Sequence, residues 1–134
     1  MKRTESRESL FLLLFEASFS ENPDPKKIIA LSAENMGHET DEYCEKAFSD
    51  IIEHIEEIDN EIKPFLVART IDRLSKTALA ALRIAVYEIN YSEDVPSSVA
   101  INEAVKLVKK YDVDNAAAQY INGVLGSYVK CREQ

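Results

Sequence analysis

The segment from Ser75 to Tyr91 limits most strongly what this chain can fold into, because it is apolar on nearly every side of a helix. A helix of this kind is normally buried on all faces rather than along one stripe. Ser75 can cap its first turn through the side-chain hydroxyl. We therefore predict that the segment is the axis of a helical bundle. Its apolar residues are Ala78, Leu79, Ala80, Ala81, Leu82, Ile84, Ala85, Val86 and Ile89.

Apolar residues that recur with helical spacing predict three helices in the first part of the chain. The first covers about residues 4–19. The second begins at Pro25, with Asp24 as its N-cap, and ends near Gly37. The third covers about residues 41–58 and carries a glutamate-rich face that we interpret as solvated.

A short helix is predicted at residues 60–66, and an amphipathic helix pair with Ser97 as its N-cap comes later in the chain. Gly123 lies inside the second helix of the pair. Glycine costs about 1 kcal/mol there relative to alanine, so we expect it to permit a close approach of two helices. Asn102 and Asn122 either hydrogen-bond at that crossing or contact a ligand. The inward face of the pair consists of Ile101, Ala104, Val105, Val108, Ile121, Val124, Leu125 and Tyr128.

Composition also supports an all-α fold. The 134 residues include three glycines, four prolines and no tryptophan, and 46% are hydrophobic, which suits one globular domain spanning residues 1–134. No apolar run approaches the roughly 20 residues that span a bilayer, and the N-terminus lacks the pattern of a signal peptide. Cys44 and Cys131 show no paired or metal-binding spacing. We interpret them as reduced thiols of a cytoplasmic protein that does not bind a membrane.

The net charge of −8 argues at first against a nucleic-acid-binding protein. The excess is local, however, because residues 34–61 contain eleven acidic residues and one basic residue. Subtracting these from the chain's 24 acidic and 16 basic residues leaves 13 and 15. The charge distribution therefore permits an RNA-binding surface elsewhere without requiring one.

The sequence contains no recognisable catalytic, metal-binding or cofactor-binding pattern. His38 and His54 are too far apart in the chain to be a pair of ligands on one helix. Cys44 and His54 could be written as a nucleophile and its base, but nothing in the sequence orients either one. We therefore predict that the chain is not an enzyme and that it uses neither a metal nor a cofactor.

The N-terminal segment and one tyrosine are candidates for binding nucleic acid. Lys2, Arg3 and Arg7 could neutralise phosphates while Tyr120 stacks on an unpaired base. The alternative for the basic residues is a disordered, solvated N-terminus. The alternative for Tyr120 is that its ring simply belongs to the core.

The first predicted helix has a second apolar side, next to the stripe that faces the core. This side consists of Phe11, Phe15 and Phe19. A helix that is apolar on two sides is either central to a core or offers one side to a partner. A protein partner is therefore the second candidate ligand.

Motifs in the second half of the chain resemble the NusB family of bacterial transcription antitermination factors. Their order and spacing match, and Arg7, Glu8 and Phe15 also fit the first helix of that family. The resemblance covers essentially the whole chain. The motifs are Leu82-Arg83-Ile84-Ala85-Val86-Tyr87-Glu88, Val95-Pro96, Val99-Ala100-Ile101-Asn102-Glu103-Ala104-Val105 and Tyr120-Ile121-Asn122-Gly123-Val124-Leu125.

The resemblance implies a non-enzymatic protein of about seven helices arranged as two packed helical bundles. Proteins of this family pair with the ribosomal protein NusE. They bind the single-stranded boxA element of ribosomal RNA leader transcripts within the RNA polymerase antitermination complex. The family's partner-facing aromatic falls on Phe15, and Ala78 stands where an acidic partner-facing residue is common. By position, the RNA-binding residues would be Lys2, Arg3, Arg7 and Tyr120.

Departures from the family pattern predict weaker RNA binding. The N-terminal segment is often densely basic in the family, whereas Thr4-Glu5-Ser6 interrupts it here. Ser98, Ala116 and Gln119 occupy positions that often carry polar or charged groups. Each missing cation removes one counterion-release contribution to RNA affinity. We therefore expect this protein to depend on its partner to hold RNA.

The sequence is also compatible with two other functions. Ribosomal RNA cytosine methyltransferases carry a similar helical domain ahead of their catalytic domain, so the chain could be a non-catalytic accessory or oligomerisation module. That reading expects an α/β domain that binds a methyl donor, and no such pattern occurs up to Gln134. The chain could instead form a homodimer through Phe11, Phe15 and Phe19. The sequence does not choose between a monomer and a dimer.

Overall fold

The computed structural model describes residues 1–35 and 39–133, apart from the side chain of Asn35, and all regular elements within these residues are helical. Short 3-10 turns occur at Lys63–Phe65 and Ile71–Arg73. The predicted all-α fold of about seven helices is therefore confirmed. The predicted helix end at Gly37 lies outside the described residues, as does His38. The α-helices are α1 (Arg3–Ala17), α2 (Pro25–Asn35), α3 (Glu42–Glu53), α4 (Ile55–Ile62), α5 (Lys76–Tyr91), α6 (Ser97–Tyr111) and α7 (Ala116–Arg132).

The chain divides into two compact units, unit 1 (Met1–His54) and unit 2 (Ile55–Gln134). The prediction of one helix over residues 41–58 is wrong, because α3 ends at Glu53 and α4 begins at Ile55, where unit 1 gives way to unit 2 along the chain. His54 still donates its backbone N–H to Asp50, but its φ of −108° and ψ of 24° end the helix. Apolar residues continue with helical spacing through the break, so the sequence pattern does not reveal it. That residues 1–134 form a single domain stays a prediction.

Unit 1 is a bundle of α1, α2 and α3, in which each helix contacts the other two. The buried residues of α3 are Cys44, Ala47, Phe48 and Ile51, while Glu42, Glu45 and Glu53 are exposed. The prediction of a solvated acidic face is therefore confirmed. Asp24 also acts as predicted at the start of α2, where its Oδ1 accepts hydrogen bonds from the N–H groups of Lys26 (3.2 Å) and Lys27 (3.5 Å).

Unit 2 is built around α5, which contacts α4, α6 and α7. Side chains on every face of α5 are buried, from Ala78 to Glu88, so the predicted bundle axis is confirmed. Ser75 caps the helix as expected, because its Oγ accepts a hydrogen bond from the Ala78 N–H at 3.1 Å. Arg83 of α5 forms a two-bond ion pair with Asp59 of α4, with Nε–Oδ1 and Nη2–Oδ2 distances of 2.9 and 2.8 Å.

The start of α6 differs from the prediction that Ser97 is its N-cap. Pro96 occupies the cap position, with φ −60° and ψ 146°, and Ser97 is the first helical residue without a capping side-chain bond. The Pro96 carbonyl accepts the first helical hydrogen bond, from the Ala100 N–H at 3.1 Å. The fixed φ of proline suits this boundary, and the Pro96 carbonyl also accepts the Val99 N–H at 3.0 Å.

Gly123 does not permit a close helix approach, so that prediction is wrong. A Cβ atom added at Gly123 or at Gly126 would meet no atom within 4 Å, and both residues are exposed on α7. Neither residue has the left-handed backbone conformation that requires glycine. The contacts within this fold therefore do not explain these glycines.

Replacing Gly123 by alanine is expected to raise the free energy of unfolding by about 0.5–1 kcal/mol. Alanine restricts the unfolded chain more than glycine does, and its methyl group fits into open space in the native state. Urea denaturation of the purified protein measures the change. Gly126→Ala is the matched variant and should behave in the same way. A loss of stability in either variant would contradict the described packing of α7.

Candidate nucleic-acid interface

A pocket with a volume of about 290 Å³ lies in unit 2, where the start of α5 meets the α6–α7 connection and the first turns of α7. It brings together two residues that the sequence singled out, because Tyr120 and Ala78 both line it. Arg69, Leu74, Asp112 and Gln119 also contribute to its wall. Tyr120 is half-buried at this pocket, so its ring does not belong entirely to the core.

Tyr120 is held in place by the segment that precedes α5. Its hydroxyl donates a hydrogen bond to the Val67 carbonyl and accepts one from the Val67 N–H, each at 3.0 Å. The guanidinium carbon of Arg69 lies 5.3 Å from the centre of the tyrosine ring. Ala68, which lies between Val67 and Arg69 in the chain, adopts a left-handed φ of 60°. This conformation costs an L-residue about 1–2 kcal/mol. The contacts on both sides of Ala68 maintain this conformation.

Asp112 fixes one wall of the pocket. Its Oδ2 accepts hydrogen bonds from the hydroxyls of Ser75, at 2.6 Å, and Thr77, and its Oδ1 accepts one from the Asp114 N–H at 2.8 Å. Burial opposes ionisation of this carboxyl, but these hydrogen bonds outweigh it and hold the pKa of Asp112 below its usual value. Asp112 therefore joins the start of α5 to the α6–α7 connection as a carboxylate with several bound donors.

Arg69 is a residue that the sequence analysis missed. It is exposed and lies in the connector before α5, a mixed stretch of apolar and polar residues that also contains Arg73, and such a stretch gives no signal of a site. Arg69 becomes a candidate site residue through its contact with Tyr120, which is distant in the sequence. An arginine beside an aromatic ring offers a cation and a stacking surface together, which suits a nucleotide.

The predicted basic residues of unit 1 differ in exposure. Lys2 and Arg3 are exposed, and the guanidinium carbon of Arg3 lies 3.8 Å from the centre of the Tyr43 ring on α3. Arg7 is 5% exposed, so it presents little surface to a phosphate in this conformation. The structure thus distinguishes two accessible cations from a buried one, and the RNA-binding role of all three stays a prediction.

The predicted partner-binding residues differ in the same way. Phe11 is 1% exposed, whereas Phe19 is 66% exposed. Phe11 belongs to the buried side of α1, together with Leu10, Leu13, Leu14 and Ala17. Phe15 is half-buried and packs edge-to-face on Phe19, with their ring centres 5.2 Å apart. The accessible part of the phenylalanine side is therefore the Phe15–Phe19 pair. Ala78 is buried but lines the pocket described above.

Chemistry at Cys44 is disfavoured by its surroundings. The thiol is fully buried, and this burial, with smaller contributions from Asp41 and Glu45, raises its pKa to about 12. It is therefore protonated at neutral pH and is a poor nucleophile.

Within residues 1–35 and 39–133, no group of three His, Cys, Asp or Glu side chains is arranged to hold a metal ion. None of the helices in the described part of the chain is long and apolar enough to cross a membrane.

Iodoacetamide is expected to modify the folded protein at Cys131 and to spare Cys44 near neutral pH. Cys131 is exposed, while Cys44 is buried with a pKa of about 12. Intact-mass spectrometry should show one adduct for the native protein and two after unfolding in guanidinium. Rapid modification of Cys44 in the native protein would contradict the packing of α1 against α3.

Comparisons with known proteins agree on one family. The model of the NusB family matches residues 4–130. The transcription antitermination protein NusB of Clostridium novyi (strain NT) is 40% identical over 134 residues, covering 97% of this chain and 99% of the relative. The corresponding protein of Agathobacter rectalis is 37% identical over 131 residues, covering 96% and 99%. The similarity thus extends over whole NusB proteins, which does not favour a module of a longer methyltransferase.

Solved structures with the same fold include two NusB proteins. One belongs to a crystal structure of the antitermination factors NusB and NusE in complex with dsRNA, with a TM-score of 0.82, 30% identity and 96% coverage of each chain. The other is T. maritima NusB, with a TM-score of 0.84, 26% identity and coverage of 97% of this chain and 92% of that one.

Proposed function

We propose, since this chain belongs to the NusB family of transcription antitermination proteins, that it binds boxA-type single-stranded leader RNA together with the ribosomal protein NusE. In this role it promotes read-through by RNA polymerase in ribosomal RNA operons. The observation that carries the proposal is the similarity, over 96% of this chain, to a NusB protein solved with NusE and RNA. The family is one of transcription factors, so the chain is not an enzyme. We place it in the cytoplasm, where bacterial transcription occurs.

The pocket of unit 2 supports a contact with an unpaired base. An aromatic ring held by two hydrogen bonds is a fixed platform for stacking, and Tyr120 has both bonds to Val67. Arg69 beside it supplies a cation for the neighbouring phosphate or a second stacking surface. The bases of an intact duplex are already stacked on each other, so this geometry favours a single strand over the double-stranded RNA of the solved complex.

The N-terminal end of α1 supports contacts with phosphates. Lys2 and Arg3 are exposed there, and cations of this kind supply affinity that does not depend on sequence. Few cations are available, and the chain carries a net charge of −8. RNA binding is therefore weak without NusE. We assign contacts with NusE to Phe15 on α1, to Phe19 just after the end of that helix and to Ala78 at the pocket, while Phe11, buried in the core of unit 1, supports α1.

Fluorescence anisotropy of a labelled boxA-type RNA tests this function. The protein is titrated alone and in the presence of its NusE partner, at two salt concentrations, with a scrambled RNA and a duplex RNA as competitors. Tighter binding with NusE, and competition by unlabelled boxA RNA but not by the scrambled or duplex RNA, is the expected result. Equal binding of all three RNAs, or of none, would overturn the proposal. Sedimentation of the free protein determines in parallel whether it forms the homodimer that the phenylalanine side permits.

A further inference from the structure

The beginning of α1 is fixed onto the beginning of α3 within unit 1. The Ser6 hydroxyl donates a hydrogen bond to the Asp41 carboxylate, and the Ser9 hydroxyl donates one to the Glu39 carbonyl at 2.8 Å. Asp41 is also the N-cap of α3, because its Oδ1 accepts the Cys44 N–H at 2.9 Å. Ser6 and Ser9 are buried, so these contacts belong to the packed part of the unit.

Asp41 keeps its negative charge in this position. Burial opposes ionisation, but the hydrogen bonds from Ser6 and from the Cys44 N–H, with the positive charge of the N-terminus, lower the pKa of Asp41 below its usual value. The carboxylate therefore stays ionised at neutral pH and accepts strong hydrogen bonds. The first two turns of α1 are thus anchored, rather than forming a loose basic arm.

Arg3 lies in this anchored segment, one turn before Ser6. Its guanidinium carbon is 3.8 Å from the centre of the Tyr43 ring, a distance that corresponds to direct contact with the ring face. A guanidinium that stacks on a ring through its face keeps its in-plane N–H groups available for a phosphate. Tyr43 is half-buried on α3, so the ring has a defined place from which to hold Arg3.

We propose that Tyr43 is a positioning residue of the RNA interface, which holds the Arg3 guanidinium ready to bind a phosphate of the RNA. This inference rests on the proposed function. It gives Ser6, which interrupts the N-terminal basic segment, the role of anchoring that segment to Asp41. A cation that is already ordered loses less conformational freedom when it binds, so fixed placement partly compensates for the small number of basic residues.

A double-mutant cycle on the complete chain, with NusE present, tests this role. Tyr43→Leu should weaken boxA-type RNA binding by about three- to fivefold, the cost of ordering one flexible side chain on binding. Arg3→Gln removes the cation itself and should weaken binding at least as much. The double variant should be no weaker than Arg3→Gln alone, because Tyr43 acts through Arg3. Tyr43→Phe keeps the ring and should bind within about twofold of the unchanged protein. The slope of log affinity against log salt should fall by about one in Tyr43→Leu, as it does in Arg3→Gln.

Circular dichroism and thermal unfolding establish that each variant is folded. Arg3→Gln and Tyr43→Phe should change the packing of unit 1 least. Fully additive losses in the double variant would overturn the inference, since Tyr43 would then act independently of Arg3. Equal losses in Tyr43→Phe and Tyr43→Leu would also overturn it, because the ring would not be the cause. If the unchanged protein with NusE does not distinguish boxA from scrambled RNA, the proposed function fails and this inference fails with it. Normal RNA binding by Tyr43→Leu overturns this inference alone.

Discussion

Replacing Tyr120 by alanine is expected to weaken binding of boxA-type RNA by about 5- to 150-fold. Stacking of one base on an aromatic side chain contributes about 1–3 kcal/mol, which corresponds to this range. The ring lines the pocket of unit 2 beside Arg69, so its loss also removes the surface against which that guanidinium lies. Fluorescence anisotropy with NusE present measures the change.

Two further variants test whether the loss of RNA affinity comes from the ring of Tyr120 at the pocket. Tyr120→Phe keeps the ring and loses the two hydrogen bonds to Val67, so its RNA affinity should fall by less than in the alanine variant. Tyr91→Ala removes a tyrosine that is 59% exposed at the opposite end of α5, and its RNA affinity should not change. Equal losses in Tyr120→Ala and Tyr91→Ala would show that the effect does not arise at the pocket.

Replacing Arg83 by methionine is expected to lower the free energy of unfolding by about 2–3 kcal/mol. The side chains of Arg83 and Asp59 are 11% and 16% exposed, and removal of the cation leaves a largely buried carboxylate without its two hydrogen bonds. Breaking a fully buried pair costs about 3–5 kcal/mol, and the remaining exposure reduces that cost. Urea denaturation followed by circular dichroism measures the loss.

The double variant Arg83→Met with Asp59→Leu is the control for this effect. It removes both charges, and apolar side chains of similar volume can replace a buried pair at little cost. The double variant should therefore recover most of the stability lost in Arg83→Met. If it is less stable than the single variant, the loss arises from packing of α4 against α5 rather than from an unpaired carboxylate.

Much of the fold could be predicted because local patterns determine it. The apolar character of residues 75–91 indicated the central helix, and Ser75 and Asp24 were identified as caps by hydroxyl and carboxylate side chains placed just before helices. The break between α3 and α4 was missed because apolar spacing continues across His54. Gly123 was misinterpreted because a glycine in a helix suggests a close contact, and the structure has open space there.

The candidate site could be predicted only in part. Tyr120 and the N-terminal cations were suggested by residue type and by resemblance to the family. Arg69 and Tyr43 were missed because each becomes a candidate only through a contact with a residue distant in the sequence. Arg69 contacts Tyr120, and Tyr43 contacts Arg3. The burial of Phe11 was also left open, because a helix with two apolar sides does not reveal which side the rest of the unit covers.

Photo-crosslinking of a thiouridine-labelled boxA-type RNA to the complex of this protein with NusE tests the central claim most directly. Mass spectrometry then identifies the crosslinked peptides. We expect crosslinks to the peptide that contains Tyr120, to the segment around Arg69 and to the N-terminal residues of α1, and we expect unlabelled boxA RNA to suppress them. Crosslinks confined to other surfaces, such as the acidic outer face of α3, would contradict the proposed interface.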